Sequence, residues 1–113
     1  MDLKEYARHV IREEALAVAA MADRLGDDFN KAVQAILECR GRVIVSGMGK
    51  SGLIGRKIAA TFNSTGIASF FLHPAEALHG DLGVIRSDDL LMLISKSGQM
   101  AEMESVIAYI KRL

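Results

Sequence analysis

Residues 42–52 read RVIVSGMGKSG, a short β-branched run followed by a turn that is rich in glycine. Val43, Ile44 and Val45 favour a strand, because β-branched side chains pack well on a pleated sheet. After the turn, apolar residues recur at helical spacing as far as Phe62, which predicts a helix. A strand, a glycine-rich turn and a helix in this order are typical of α/β folds, whose ligands bind beyond the carboxyl ends of the strands.

Two further strands are predicted at residues 68–72 and 90–94. The second of these, LLMLI, is an unbroken apolar run, which predicts burial on both faces, as in a parallel sheet covered by helices. Between the two strands, Pro74 suits the first position of a short helix that His73 would cap. Apolar residues from Met103 onward mark a final helix. We therefore predict an α/β fold with three αβα layers and a parallel sheet, of the flavodoxin-like type.

Two helices are predicted ahead of the first strand. Apolar residues recur at three- and four-residue steps from Leu3 to Leu25, and a second such pattern runs from Asp27 to a stop at Gly41. The chain ends at Leu113 inside a helical pattern without a glycine or proline stop. We expect residues 1–113 to form a single domain that is itself incomplete.

The composition excludes several classes of partner. Fourteen basic and fourteen acidic residues cancel, so no long-range field attracts nucleic acid or anionic lipid. The longest apolar stretches are far shorter than the roughly 20 residues that cross a bilayer. Cys39 is the only cysteine, which excludes an internal disulfide and a multi-cysteine metal site. We expect a cytoplasmic protein with no nucleic-acid or membrane partner and no required metal.

The tripeptide Lys-Ser-Gly follows two of the predicted strands, at residues 50–52 and 96–98. Right-handed crossovers bring the carboxyl ends of parallel strands to one edge, so both turns are expected on the same edge. Glycine lets the backbone approach a ligand, and amide hydrogens at a helix start favour an anion. The expected ligand is a small phosphate. The residues expected to contact it are Gly49, Ser51, Gly52, Ser95, Ser97 and Gly98.

Other phosphate-binding motifs fit the first turn less well. A nucleoside-triphosphate loop needs a glycine where this chain has Ile44, inside the strand. Gly47, Gly49 and Gly52 match the G-x-G-x-x-G pattern of dinucleotide-binding folds, but an acidic residue should close the second strand, where His73 stands instead. A fragment that binds a nicotinamide dinucleotide therefore remains an alternative.

Three segments together resemble a known family. GMGKSGLIGRKIAATFNSTG at 47–66, FFLHPAEALHGDLG at 70–83 and SKSGQMAEM at 95–103 are similar to the sugar isomerase (SIS) domain of arabinose 5-phosphate isomerases. The resemblance extends from about residue 41 to the end of the chain. It implies an SIS-type fold of which this chain is the amino-terminal part.

The resemblance also implies a reaction, the interconversion of D-ribulose 5-phosphate and D-arabinose 5-phosphate through an enediol. In the family this reaction leads to Kdo, a sugar of lipopolysaccharide or capsule, and it needs no cofactor. Family members assemble as homotetramers, and the apolar face of the first helix, with Val10, Val18 and Met21, suits such an assembly. A phosphosugar-binding or regulatory module without catalysis remains a second alternative.

The resemblance assigns catalytic positions to Lys50, Glu102 and His79. Lys50 is expected to hold the enediolate or a substrate oxygen. Glu102 is expected to take part in catalysis from the first turn of the last helix. His79 is expected to act in ring opening or to reach a neighbouring subunit's site. Many loops of the family have a hydroxyl residue where this chain has Met100, and Lys96 is expected to compensate with its charge. A further glutamate and histidine of the family lie beyond the end of this chain, so the chain alone is expected to lack part of the catalytic machinery.

Overall fold

The structure is a computed structural model in which residues 2–77, 80–98 and 101–113 are described, Glu102 by its backbone alone. The chain divides into two compact units, residues 1–34 and residues 35–113. Each unit is described by itself. That residues 1–113 act as one domain stays a prediction.

The described residues form helices and strands that alternate after the first two helices. The helices are α1 (Leu3–Arg24), α2 (Asp27–Glu38), α3 (Gly49–Ser64), α4 (Pro74–Ala77) and α5 (Glu104–Arg112). The strands are β1 (Val43–Gly47), β2 (Ser69–Phe71) and β3 (Leu90–Ile94). Two short 3₁₀ turns, Asp81–Val84 and Ala101–Met103, precede β3 and α5 respectively.

The three strands form a parallel sheet in the order β2-β1-β3. Val43 pairs with Ser69 on one side and with Leu90 on the other, and Gly47 pairs with Ile94 at the far end. Flavodoxin-like sheets begin with the same strand order, and their ligands bind between the first and third strands, where the chain changes direction across the sheet. The predicted parallel sheet is confirmed, and a ligand site is expected at its β1–β3 boundary.

Helices cover both faces of the sheet. Successive side chains of β1 point to opposite faces, so this strand packs against helices on both. Val43 and Val45 pack with Ala59 of α3 on one face. Ile44 packs on the other face with a cluster that includes Ala77 of α4 and Val106 of α5. The fold is therefore the predicted three-layer αβα arrangement.

The structure corrects the burial predicted for β3. Every residue of β1 is buried, but every residue of β3 is only half-buried. The reason is position: β1 has a paired strand on each side, whereas β3 is paired with β1 alone among the described residues. An unbroken apolar run predicted the parallel sheet correctly but did not distinguish a central strand from an outer one.

The predicted stop of α2 at Gly41 is also wrong, because α2 ends at Glu38. Gly41 serves a close approach between two segments instead. Its N–H donates to the carbonyl oxygen of Asp88 over 2.9 Å, and a Cβ atom on Gly41 would lie only 2.5 Å from that oxygen. A glycine can thus mark a contact between distant parts of the chain as well as a helix end.

An ion pair joins the amino-terminal ends of β1 and β3. Asp89, whose side chain is 1% exposed, pairs with Arg42 across 3.0 Å. Asp89 also accepts hydrogen bonds from the backbone N–H groups of Arg42 and Arg86, each over 2.8 Å. Burial alone would raise the pKa of Asp89, but these hydrogen bonds and the charge of Arg42 outweigh it and hold the pKa below its ordinary value.

The predicted amino-terminal helices are present in the structure. The side chain of Asp2 caps α1 by accepting a hydrogen bond from the N–H of Lys4 over 2.9 Å. No residue of α1 is buried, and Val18 and Met21 are 66% and 53% exposed. Within the described residues, none of the helices has the length and apolar character that crossing a bilayer requires.

Candidate functional site

A pocket of about 310 Å³ lies at the carboxyl ends of β1 and β3. Its lining comes from the turn after β1, the end of β3 and the segment that leads to α5. The lining residues are Met48, Ser51, Ile94, Ser95, Lys96, Ser97, Ala101 and Met103. The pocket lies at the β1–β3 boundary, where a ligand is expected in this strand order.

Tight backbone packing shapes the first turn, residues 47–52. Gly49 has a φ of 57°, in the left-handed region that favours glycine. The N–H of Gly52 donates to the carbonyl oxygen of Met48 over 3.2 Å, and a Cβ atom on Gly52 would lie 2.6 Å from the carbonyl oxygen of Gly47. These contacts start α3 directly after the strand, so the positive end of a 16-residue helix lies at this edge.

The second turn, residues 95–98, is held by its own hydrogen bond. The N–H of Gly98 donates to the hydroxyl oxygen of Ser95 over 3.1 Å, and Gly98 has a φ of 74°. The hydroxyl of Ser95 thus helps to fix the turn. Ser95 and Ser97 both line the pocket on this side, opposite the contribution of the first turn.

The structure brings together three of the six residues predicted to contact a phosphate, namely Ser51, Ser95 and Ser97. Gly49, Gly52 and Gly98 do not line the pocket; their part is to set the conformation of the two turns. The predicted anion contacts are therefore divided between residues that face the pocket and residues that shape it.

The predicted catalytic residues are placed differently from one another. Lys50 is exposed in the first turn of α3 and is not part of the pocket lining. The backbone of Glu102 lies in the 3₁₀ turn between Ala101 and Met103, both of which line the pocket. Glu102 was expected in the first turn of the last helix, but α5 begins only at Glu104. His79 lies outside the described residues.

An aromatic cluster at the end of β2 supports the start of α3. Cβ atoms on Gly52 and Gly55 would lie 3.4 and 3.1 Å from ring atoms of Phe71. The guanidinium of Arg56 lies over the same ring at 4.3 Å, which is cation–π geometry. The sequence interpretation missed this cluster, although the spacing of Gly52 and Gly55 on one helix was a usable signal of close packing against a strand.

His73 has the capping role that was predicted for it. Its Nδ1 accepts a hydrogen bond from the N–H of Ala75 over 3.1 Å at the start of α4, where Pro74 is the first helical residue. Within the described ranges, no group of three His, Cys, Asp or Glu side chains is arranged to hold a metal ion.

Comparisons with known proteins agree with this architecture. A chain from E. coli CFT073, c3406, solved in complex with arabinose 5-phosphate, superposes with a TM-score of 0.90 and 42% identity, over 98% of this chain and 59% of that one. Arabinose 5-phosphate isomerase KdsD of Pseudomonas aeruginosa is 50% identical over 100% of this chain and 35% of its own length. Arabinose 5-phosphate isomerase GutQ of Escherichia coli K12 is 53% identical over 88% and 31%.

The chain spans about a third of the length of these curated relatives. The family model described as the SIS domain matches residues 36–113, which is more than half of the chain and includes the whole sheet and both turns of the pocket. The expected resemblance to a sugar isomerase domain is confirmed. The chain belongs to the SIS domain family.

Proposed function

We propose that this chain forms the sugar-phosphate site of an aldose-ketose isomerase that interconverts D-arabinose 5-phosphate and D-ribulose 5-phosphate. The observation that carries the proposal is the pocket at the β1–β3 boundary, where Ser51 of one turn and Ser95 and Ser97 of the other meet. Two relatives named arabinose 5-phosphate isomerase, at 50% and 53% identity, support the choice of sugar.

The phosphate group is proposed to bind between the two turns. Serine hydroxyls and backbone amides at a helix start donate hydrogen bonds to phosphate oxygens, and the start of α3 adds its positive end. Ile94 and Met103 give the same pocket an apolar side. This combination anchors the charged end of a small sugar and leaves its carbon chain to extend across the pocket.

The chemistry requires proton transfer and no exchange of electrons with a cofactor. A base removes the proton from C2 of the aldose, the enediolate carries the charge on its oxygens, and a proton returns to C1 to give the ketose. We propose Lys50 as the cation for the developing charge and Glu102 as the acid or base, with His79 acting in ring opening. The position of the Glu102 backbone, between two residues that line the pocket, supports its part in this scheme.

The setting of the reaction is part of the same proposal. We propose a cytoplasmic enzyme whose product leads toward Kdo, with residues 1–113 belonging to one SIS-type domain. The apolar side chains of α1 are exposed, Leu3 by 76% and Val18 by 66%, which supports their burial in a homotetramer.

The experiment that tests the function is deuterium exchange at C2 of arabinose 5-phosphate in heavy water, followed by NMR. An isomerase is expected to incorporate deuterium at C2 and to form ribulose 5-phosphate. The matched control is Glu102→Gln, which keeps the shape of the side chain and removes its ability to act as a base. We expect this variant to bind the sugar phosphate without exchange.

The alternatives give different results in the same samples. Saturable binding of arabinose 5-phosphate without exchange, both by this chain and by a longer version that adds the family's further glutamate and histidine, would make it a binding module and contradict the isomerase proposal. Tight binding of NAD, with no response to the sugar phosphate, would favour the dinucleotide interpretation.

A further inference from the structure

Lys96 lies between the two serines of the second turn, and it lines the pocket. We propose that Lys96 provides the positive charge by which this pocket selects phosphorylated over unphosphorylated sugars. The inference rests on the proposed function, because it names the group that recognises the phosphate of the same substrate. It gives a specificity role to a residue outside the proposed catalytic set.

Lys96 determines the charge of the pocket. Among the described residues that line it, Lys96 is the only charged one; the others are Ser, Ala, Met and Ile. The chain as a whole has no net charge, so no long-range field concentrates an anion there. A phosphate monoester carries between one and two negative charges at neutral pH, and hydroxyls and amides offer it only partial charges. Among the described residues that line the pocket, Lys96 is the one that carries a full positive charge.

The cations of the neighbouring segments have other positions. Arg56 stacks on the Phe71 ring. Arg42 pairs with Asp89 at the opposite, amino-terminal ends of the strands. Lys50 is exposed in α3, does not line the pocket and is proposed to act on the reacting carbons of the sugar, not on its phosphate. Lys57 lines a separate groove on α3.

The turn that carries Lys96 is held by contacts of its own backbone. The hydrogen bond from Gly98 to Ser95 closes the turn around Lys96, and the left-handed conformation of Gly98 fixes its exit. A lysine on a fixed turn starts from a defined backbone position, so less of its freedom is lost on binding than for a lysine on a mobile loop. The backbone thus holds Lys96 at the edge of the pocket before the ligand arrives.

The test compares Lys96→Gln and Lys96→Arg with the parent chain by calorimetry. The ligands are arabinose 5-phosphate, inorganic phosphate and unphosphorylated arabinose. Lys57→Gln is the matched control, because Lys57 is also an exposed lysine of the same unit but lies outside the pocket. Circular dichroism and urea unfolding establish that the variants keep the parent's fold.

Lys96→Gln is expected to lower the affinity for arabinose 5-phosphate and for inorganic phosphate about tenfold each. The reason is that a hydrogen bond between charged groups stabilises a complex more than one between neutral groups. Lys96→Arg keeps the charge, so its affinities for the two phosphorylated ligands are expected to stay within about threefold of the parent's. Lys57→Gln is expected to have the same affinities as the parent. The affinity for unphosphorylated arabinose should be the same in all four proteins.

Equal affinity of the parent and Lys96→Gln for both phosphorylated ligands would overturn the inference, and so would an equal loss for unphosphorylated arabinose. Failure of inorganic phosphate to bind the parent chain would overturn it as well. The proposed function fails by a different result, the absence of C2 exchange in a longer version of the chain that adds the family's further glutamate and histidine. If deuterium is exchanged at C2 but Lys96→Gln binds the phosphorylated ligands as tightly as the parent, the isomerase proposal stands and Lys96 is not part of the phosphate site.

Discussion

Gly52→Ala is expected to lower the free energy of unfolding by about 1–2 kcal/mol and to weaken sugar-phosphate binding about tenfold. The new Cβ atom would lie 2.6 Å from the carbonyl oxygen of Gly47, which belongs to the central strand. Alanine gains up to about 1 kcal/mol over glycine inside a helix. Overpacking against a fixed group costs about 1–3 kcal/mol or more, and here the obstacle is backbone rather than a side chain that can rotate.

Relief of this clash has to move the start of α3 away from β1, and Ser51 moves with it. For that reason binding and stability are expected to fall together. Urea unfolding measures the stability, and calorimetry with arabinose 5-phosphate measures the binding. Gly83→Ala is the matched control, because a Cβ atom on Gly83 would meet nothing within 4 Å. Parent-like stability and binding in Gly52→Ala would show that the first turn is looser than its contacts imply.

Asp89→Asn is expected to lower the free energy of unfolding by about 2–4 kcal/mol at neutral pH. The side chain of Asp89 is 1% exposed and holds both the Arg42 guanidinium and two backbone N–H groups. Breaking a buried ion pair costs about 3–5 kcal/mol. The expected loss is somewhat smaller here, because the Arg42 side chain is 37% exposed and solvent partly screens its charge. Asp23→Asn, at an exposed position of α1, is the control.

The same carboxylate predicts how stability changes with pH. The pKa of Asp89 is lower in the folded than in the unfolded chain, so the unfolded chain binds the proton more tightly. The stabilisation by Asp89 is complete above its unfolded pKa of about 3.9 and is lost as the pH falls through the lower folded pKa. Urea unfolding from pH 7 to pH 2 should therefore show the parent and Asp89→Asn converging in acid. A constant difference between them over this range would contradict the assignment.

The sequence alone predicted the layers of this fold well. The β-branched run at 43–45 and the apolar run at 90–94 both became strands of a parallel sheet, and Pro74 began a helix capped by His73. These predictions succeeded because period and capping chemistry are local properties of the chain. The burial predicted for β3 was wrong. Strand order is a property of the whole sheet, and an apolar run in the sequence cannot reveal it.

The site could be predicted in part for a similar reason. The two serine turns were placed on one edge because parallel strands must end there, and the pocket contains Ser51, Ser95 and Ser97. Which residues of a turn face a pocket depends on the backbone conformation of the turn, which is left-handed at Gly49 and Gly98 and which residue spacing does not reveal. The contact of Gly41 with Asp88, 47 residues apart in the chain, was invisible to spacing arguments for the same reason.

The central claim is that one phosphate contacts both turns at once. An NMR titration of the ¹⁵N-labelled chain with arabinose 5-phosphate tests it most directly. The account predicts that the amide signals of residues 49–52 and 95–98 shift together with one dissociation constant, while those of residues 39–42, at the opposite ends of the strands, stay in place. Shifts confined to one turn, or two turns that saturate at different concentrations, would contradict it.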